Sequence, residues 1–254
     1  MEQPLDILAF GAHPDDIELC CGGTLILLAN RGYRVGAADL TRGELGTRGT
    51  EEIRAKESLA ASKILRVCVR ENLGIPDGHI ENNQENLLRV IRLLRQYRPR
   101  LVLVHHWEER HYDHVHASHL VAEACYYSGL AKIETGQESF RPFRALFYAG
   151  RVAFHPSFIV DISETFAEKM QAVRAHRSQF HRGVEEETAV EPETFISTPY
   201  ALEVFETKAR YYGAMIGAKF GEPFAMREAI ELRDPVAFFR EFPDTRLPHL
   251  FPSP

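Results

Sequence analysis

Two aspartates and a histidine follow the first apolar segment of the chain. The segment LDILAF (residues 5–10) runs directly into His13, Asp15 and Asp16, and a helix-like pattern of apolar residues comes next. An aspartate in front of a helix can serve only to cap it, by accepting hydrogen bonds from the first free N–H groups. One aspartate is enough for that purpose. The second aspartate and the histidine make a metal or catalytic site the competing interpretation.

A second cluster of the same residue types lies behind a later strand. The segment LVLVHHWEERHYDHVHASH (residues 101–119) holds half of the chain's twelve histidines. A solvated helix start with one or two core histidines is the alternative explanation. We favour a site, because a metal-type motif already follows another strand. The members of this cluster are His105, His106, His111, His114, His116 and His119, with Asp113 among them.

These residue types suit a catalytic zinc site. Such a site commonly has three nitrogen or carboxylate ligands and keeps one position for water, whose pKa falls from about 15.7 to about 7. His13, one aspartate and one histidine of the second cluster would be the ligands, and the other aspartate would be the base. A histidine one helical turn from the ligand histidine, as His111 is from His114, would donate to the oxyanion, with Asp113 orienting it or keeping it cationic. Spacing alone leaves His111, His114 and His116 as candidates for the metal ligand.

Strand-like and helix-like segments alternate along the chain. Strands are predicted in RVGAADLT, RVCVRENLG, RLVLVHHW, RALFYAG and SFIVDIS, and amphipathic helices in segments such as EEIRAKESLAASKIL and NLLRVIRLLRQYRP. This alternation predicts a single α/β domain over residues 1–254, with a mostly parallel sheet and helices on both faces. Ligands of such sheets bind beyond the carboxyl ends of the strands. The first and fourth strands can lie side by side around one crevice, where the two clusters would meet.

Composition and charge argue against several classes of function. The 254 residues are 44% hydrophobic and carry a formal net charge of -6 without a lysine or arginine block, so we expect no nucleic-acid partner. The four cysteines lack CxxC spacing, which is typical of a reducing compartment. We expect no signal peptide, no membrane span and a cytoplasmic location. Segment 182–199 is expected to form a mobile loop or an oligomer contact, and the proline-rich tail 242–254 to be irregular.

The motif AHPDDIE, followed much later by RHYDH, resembles the LmbE/PIG-L-like de-N-acetylases. This resemblance implies a Rossmann-like fold and zinc-dependent removal of acetyl groups from N-acetylglucosamine-type amides. The segments DLTRGELGTRGTEEIRAKE, GIPDG, FIVDISETFAEKMQAVRAHRSQF and ARYYGAMIGAKFGEPF resemble the branch that deacetylates N-acetylglucosaminyl-malate in bacillithiol biosynthesis. The resemblance also implies a small-molecule sugar substrate and a homo-oligomer, since relatives often form hexamers.

The resemblance assigns roles to individual residues of the two motifs. Asp15 matches the general base, His111 the residue that stabilises the oxyanion or protonates the leaving amine, and Asp113 its partner. Imidazole and carboxylate ligands suit Zn²⁺, and they also suit other divalent metals. The residues that match the zinc ligands of the family are His13, Asp16 and His114.

Three further residues match positions that contact the substrate, namely Arg54, Arg110 and Tyr200. The sequence thus predicts hydrolysis of the N-acetyl group of N-acetylglucosaminyl-malate to glucosaminyl-malate and acetate. A deacetylase of another N-acetylglucosaminide or of a sugar–thiol conjugate is the alternative within this class. A non-catalytic metal-binding protein would suit the histidines, yet it needs no spare Asp15. A dinucleotide-binding module would suit the fold, but the first strand leads into GAHPDD and not into a G-x-G-x-x-G loop.

Overall fold

The computed structural model describes residues 3–180, 192–198 and 200–241. Most of segment 182–199 and the whole of tail 242–254, for which the sequence predicts a mobile loop and irregular structure, lie outside the described residues. None of the helices within these ranges is long and apolar enough to cross a membrane.

Strands and helices alternate through most of the chain, which confirms the predicted α/β class. The strands are β1 (Ile7–Gly11), β2 (Val35–Asp39), β3 (Val69–Asn72), β4 (Leu101–His105), β5 (Arg144–Tyr148), β6 (Phe158–Asp161) and β7 (Gly221–Ala225). The helices are α1 (Asp16–Asn30), α2 (Glu51–Leu65), α3 (Gln84–Tyr97), α4 (Tyr112–Tyr127), α5 (Phe166–Ala175), α6 (Ala201–Met215) and α7 (Pro235–Glu241). A short 3₁₀ turn lies at Phe195–Ser197.

The strands form one seven-stranded sheet in the order β3-β2-β1-β4-β5-β7-β6. The first five strands in this order are parallel, as predicted. The sequence does not predict β7, which runs antiparallel to both β5 and β6. Its residues GEPFA include Gly221 and Pro223, and both residue types are depleted in strands.

Apolar layers cover both faces of the sheet. Along β1, Leu8 and Phe10 belong to the layer that packs with α3 and α4, whereas Ile7 and Ala9 belong to the layer under α1 and α5. All four side chains are buried. Alternate residues of a strand point to opposite faces, so burial on both faces explains why β1 is a continuous apolar run.

The connections of the chain diverge at the junction of β1 and β4. From β1 the chain proceeds through β2 to β3 on one side, while β4 and β5 lie on the other. β1 and β4 are parallel neighbours, so their carboxyl ends at Gly11 and His105 open at the same edge of the sheet. A junction of this kind leaves a crevice in which α/β proteins bind their ligands.

Candidate active site

The two clusters of the sequence meet at the crevice between β1 and β4. His13 and Asp16 follow β1, and His114 lies in the first turn of α4. One candidate ligand atom from each residue lies within 4.8 Å of those of the other two. Nδ1 of His13 is 3.5 Å from Oδ2 of Asp16, and Nε2 of His114 is 3.3 Å from Oδ1 of Asp16. A tetrahedral zinc ion with bonds of about 2.1 Å holds neighbouring ligand atoms about 3.4 Å apart, so these side chains fit the metal.

The charges around His13 also suit a cation. Its Nε2 lies 2.9 Å from Oδ1 of Asp77 and 3.3 Å from Oδ2 of Asp113. Burial disfavours the imidazolium of His13, but hydrogen bonds to Asp113, Asp16 and Asp77 outweigh burial and raise the pKa of His13 well above its ordinary value. A pocket that favours positive charge in this way, with nitrogen and carboxylate donors, is suited to a divalent metal.

Asp77 holds His13 in place, and sequence reasoning missed it. Nε2 of His13 donates to Oδ1 of Asp77, while Oδ2 of Asp77 accepts a hydrogen bond of 3.0 Å from the backbone N–H of Leu45. A carboxylate on the second ring nitrogen of a ligand histidine fixes the ring and raises its basicity. The signal in the sequence is the segment GIPDG, whose aspartate follows the end of β3 at the same edge of the sheet.

Asp15 lies beside the candidate ligands in a strained conformation. Its φ angle is 122°, a value that residues other than glycine rarely adopt. Its side chain makes no capping hydrogen bond to α1, which excludes the capping explanation. Burial raises the pKa of Asp15 to about 6, although the positive charge of Arg54 acts in the opposite direction and lowers it. A buried carboxylate with a pKa near neutrality is suited to general-base catalysis.

Arg54 stabilises the loop that carries Asp15. Its Nη2 donates to the carbonyl oxygen of Pro14 at 2.7 Å and its Nη1 to that of Gly43 at 2.9 Å. Nη2 also lies 3.7 Å from Oδ2 of Asp15. Gly43 has a positive φ of 69°, and a β-carbon there would collide with the guanidinium of Arg54. Arg54 is buried and contacts the cavity; these contacts give it a positioning role, and its predicted contact with substrate stays a prediction.

His111 precedes α4 with its ring held by the backbone. Nδ1 of His111 accepts a hydrogen bond of 3.2 Å from the N–H of Asp113. Burial and the charges of His13 and His114 lower the pKa of His111, so the ring is neutral with its proton on Nε2. The carboxylate of Asp113 faces His13 and the N–H of Gly78, at 3.3 and 2.9 Å. Asp113 thus contacts His111 through its backbone N–H.

Three other histidines of the second cluster divide into two groups. His105 is fully buried behind the site, where its ring stacks on that of His114 at 3.9 Å between centroids. Burial lowers the pKa of His105 to about 4, so this ring is neutral. His116 and His119 are exposed on α4 and do not line the cavity of the described structure.

The site opens into a cavity of about 490 Å³, a volume typical of small-molecule sites. Arg110 is exposed and lines this cavity, and its predicted contact with substrate stays a prediction. Tyr200 is 69% exposed and is not among the lining residues that the structure describes, so its role stays a prediction. The same part of the chain contributes Phe195 instead. Besides the residues already named, the lining includes residues 45–47, Gly150, Arg151, Gln179 and residues 194–196.

Comparisons with known proteins identify the family of this chain. The PIG-L family model, described as GlcNAc-PI de-N-acetylase, matches residues 8–125. The chain is 30% identical over 228 residues to the diacetylchitobiose deacetylase of Thermococcus kodakarensis. The aligned region covers 85% of this chain and 80% of that protein. It is 29% identical over 203 residues to a Bacillus anthracis protein named "Probable N-acetyl-alpha-D-glucosaminyl L-malate deacetylase 2", which covers 73% of this chain and 86% of that protein.

A solved structure has a similar fold over most of the chain. The conserved protein TT1542 from Thermus thermophilus superposes with a TM-score of 0.81 and is 39% identical, over 91% of this chain and 98% of that one. Fold and site together define an α/β enzyme with a candidate His/Asp metal site at a switch point of its sheet. The chain belongs to the PIG-L family of de-N-acetylases. It is a deacetylase of N-acetylated sugars, as the motifs predict, and the metal dependence typical of this family agrees with the candidate ligand set.

Proposed function

We propose that this enzyme hydrolyses the N-acetyl amide of N-acetylglucosaminyl-malate with a zinc ion held by His13, Asp16 and His114. The main support is the meeting of these three side chains with Asp15 at one edge of the sheet. When bound, zinc would polarise the acetyl carbonyl and lower the pKa of water toward neutrality. The remaining steps depend on side chains of the chain itself.

Asp15 is the general base of the proposed reaction. With a pKa of about 6 its carboxylate is ionised at pH 7 and accepts the proton that the attacking water loses. Nε2–H of the neutral His111 donates a hydrogen bond to the oxyanion that forms at the acetyl carbonyl. As the C–N bond breaks, Asp15 returns the proton to the amine nitrogen. The products are acetate and a glucosamine with a free amine.

The choice of substrate rests on one relative and one arginine. The Bacillus anthracis relative is named for the malate compound, whereas the Thermococcus relative is named for diacetylchitobiose, which has no carboxylate. The malate group carries two carboxylates. Arg110, in the wall of the cavity, offers a planar guanidinium that can bind a carboxylate through two hydrogen bonds.

Turnover of the candidate substrate tests the proposal. Zinc-loaded enzyme is incubated with N-acetylglucosaminyl-malate, and new primary amine and acetate are measured; we expect equal amounts of both. Release from diacetylchitobiose but not from the malate compound would overturn the substrate and leave the deacetylase class intact. Turnover of either compound excludes the alternative of a non-catalytic metal-binding protein.

Two histidines of α4 test the metal site. His114 belongs to the candidate ligand set, whereas His116 is exposed and lies outside the cavity. We expect His114→Ala to lose most of its bound zinc and His116→Ala to keep it. Metal analysis of the two purified variants measures this difference. Equal losses would show that α4 does not present His114 as a ligand.

A further inference from the structure

A second arginine accompanies Arg110 in the wall of the cavity. Arg151, which follows β5, is exposed and lines the same cavity. Partial burial and the charge of Arg110 lower the pKa of Arg151, while the carboxylate of Glu109 acts in the opposite direction. Within the described residues, no carboxylate forms an ion pair with either of them. A pair of like charges facing a cavity has a strong preference for an anion between them.

Glu109 brings the two arginines together through their backbones. Its Oε2 accepts hydrogen bonds from the N–H groups of Arg110 and Arg151, at 3.1 and 3.0 Å, and its Oε1 accepts one from Val152 at 3.3 Å. A β-carbon at residue 150 would lie only 2.6 Å from Oε1 of Glu109. The loop after β5 can therefore approach the Glu109 carboxylate this closely because residue 150 is glycine. The carboxylate of Glu109 is occupied by backbone donors, and both guanidiniums keep their charge for a ligand.

Phe195 orients the guanidinium of Arg151. Cζ of Arg151 lies 3.6 Å from the centroid of the Phe195 ring, which also lines the cavity. Stacking on an aromatic face leaves the N–H groups at the edge of the guanidinium plane free to donate. A planar donor already held in place loses less freedom when a carboxylate binds.

We propose that Arg110 and Arg151 form an anion subsite that binds the carboxylates of the non-sugar part of the substrate. The inference rests on the proposed function and adds Arg151 to it as a specificity-determining residue. Two guanidiniums match a group that carries two carboxylates. An uncharged disaccharide would leave both of them without a partner.

Substrate preference tests the subsite. kcat/KM is measured for N-acetylglucosaminyl-malate and for the uncharged methyl glycoside of N-acetylglucosamine, and their ratio is compared between variants. Loss of charged hydrogen bonds predicts that Arg151→Gln lowers this ratio by about 10- to 150-fold, through KM. Arg151→Lys keeps the charge without the planar fork and should fall between Arg151→Gln and the wild type.

The matched control is Arg141→Gln. Arg141 also stacks on an aromatic ring, with Cζ 4.4 Å from the centroid of Tyr126, but it does not line the cavity. We expect this variant to keep the wild-type ratio within about twofold, because its charge does not face the substrate.

Binding of L-malate gives a readout that does not depend on catalysis. Calorimetry with the zinc-loaded wild type, Arg151→Gln and Arg141→Gln should show at least about tenfold weaker binding in Arg151→Gln alone. Any contact of malate with the metal is common to the three proteins and cancels in the comparison. If no N-acetylglucosaminide is turned over but malate binding weakens as expected, the proposed function fails and the subsite stands. If Arg151→Gln keeps both the ratio and the malate affinity within about twofold of wild type, the subsite is overturned.

Discussion

Two buried charged clusters each include one acidic residue from the first turn of α1, Asp16 in one and Glu18 in the other, and they differ in how their charges are balanced. The Arg70 cluster consists of Glu18, Asp39, Arg70 and His176. The site cluster consists of His13, Asp15, Asp16, Asp77 and His114. In the Arg70 cluster one guanidinium donates to both carboxylates, at 2.5 Å to Glu18 and at 2.8 and 3.0 Å to Asp39. In the site cluster, the nearest guanidinium, that of Arg54, donates to backbone carbonyls.

The pKa values of two acidic residues show this difference. Burial alone would raise the pKa of Glu18, but Arg70 and His176 hold it at about 2. Burial raises the pKa of Asp15 to about 6, because Arg54 and the histidines compensate only part of the cost. A cluster whose charges are paired internally is damaged when one partner is removed, whereas a cluster with surplus carboxylates is prepared for a cation and for proton transfer.

Asp15→Asn should have the largest effect on activity. The amide cannot accept the proton of the attacking water, so we expect turnover to fall by about 10²- to 10⁴-fold while the zinc content stays unchanged. Steady-state rates combined with metal analysis measure both quantities. Near-normal turnover with full metal occupancy would show that another group is the base.

Arg70→Met should lower the stability of the fold without removing a residue of the site cluster. It leaves Glu18 and Asp39 buried without the guanidinium that donates to both, so we expect the free energy of unfolding to fall by about 3–5 kcal/mol. The control is Arg66→Met, which removes a surface pair with Glu168 and should cost about 0–1 kcal/mol. Denaturant unfolding gives both values. Equal losses in the two variants would contradict a structural role of the Arg70 cluster.

Asp77→Asn should weaken the metal site without abolishing it. The amide holds the ring of His13 less firmly and adds no negative charge, so zinc affinity should fall by about 10- to 100-fold. Asp6→Asn is the control, because Asp6 lies at the opposite end of β1 and accepts from the N–H of Arg34. Competition with a chelator measures the affinities. Unchanged affinity in Asp77→Asn would mean that His13 needs no such support.

The smallest expected effect is a shift of the pH profile, which depends directly on the pKa of Asp15. The base must be ionised, and its pKa is about 6, so kcat/KM should fall by about tenfold per pH unit below that value. Arg54 lowers this pKa, and Arg54→Gln should therefore move the acidic limb to higher pH. A limb that stays in place or moves to lower pH would contradict the proximity of Arg54 to the base.

The sequence predicts those parts of the molecule that have a local signal. β1 and β4 are continuous apolar runs because they are buried on both faces, and the two motifs at their ends point to one crevice. β7 has no such signal, since Gly221 and Pro223 break its pattern, and it becomes a strand through its pairing with β5 and β6.

Residues that act through tertiary contacts were harder to predict. The sequence around Asp77 indicates an ordinary turn residue. Only the fold brings its Oδ1 to 2.9 Å from Nε2 of His13. Arg151 is a single arginine between two strands. Its proposed role depends on its position relative to Arg110 and Phe195, which are distant from it in the sequence. Arg54 matches a substrate position by resemblance, while its contacts with the backbone become visible only in the structure.

The position of β7 has a consequence for the order in which the protein folds. This strand comes last of the seven in the chain, yet it separates β5 from β6. Its Glu222 accepts hydrogen bonds from the N–H groups of Gly23 and Thr24, 199 and 198 residues away, and pairs with Lys169. Contacts of such long range form late, because large loops must close first. A nascent chain that ends before residue 221 leaves edges of β5 and β6 unpaired. The seven-stranded sheet is therefore completed only after β7 has emerged from the ribosome.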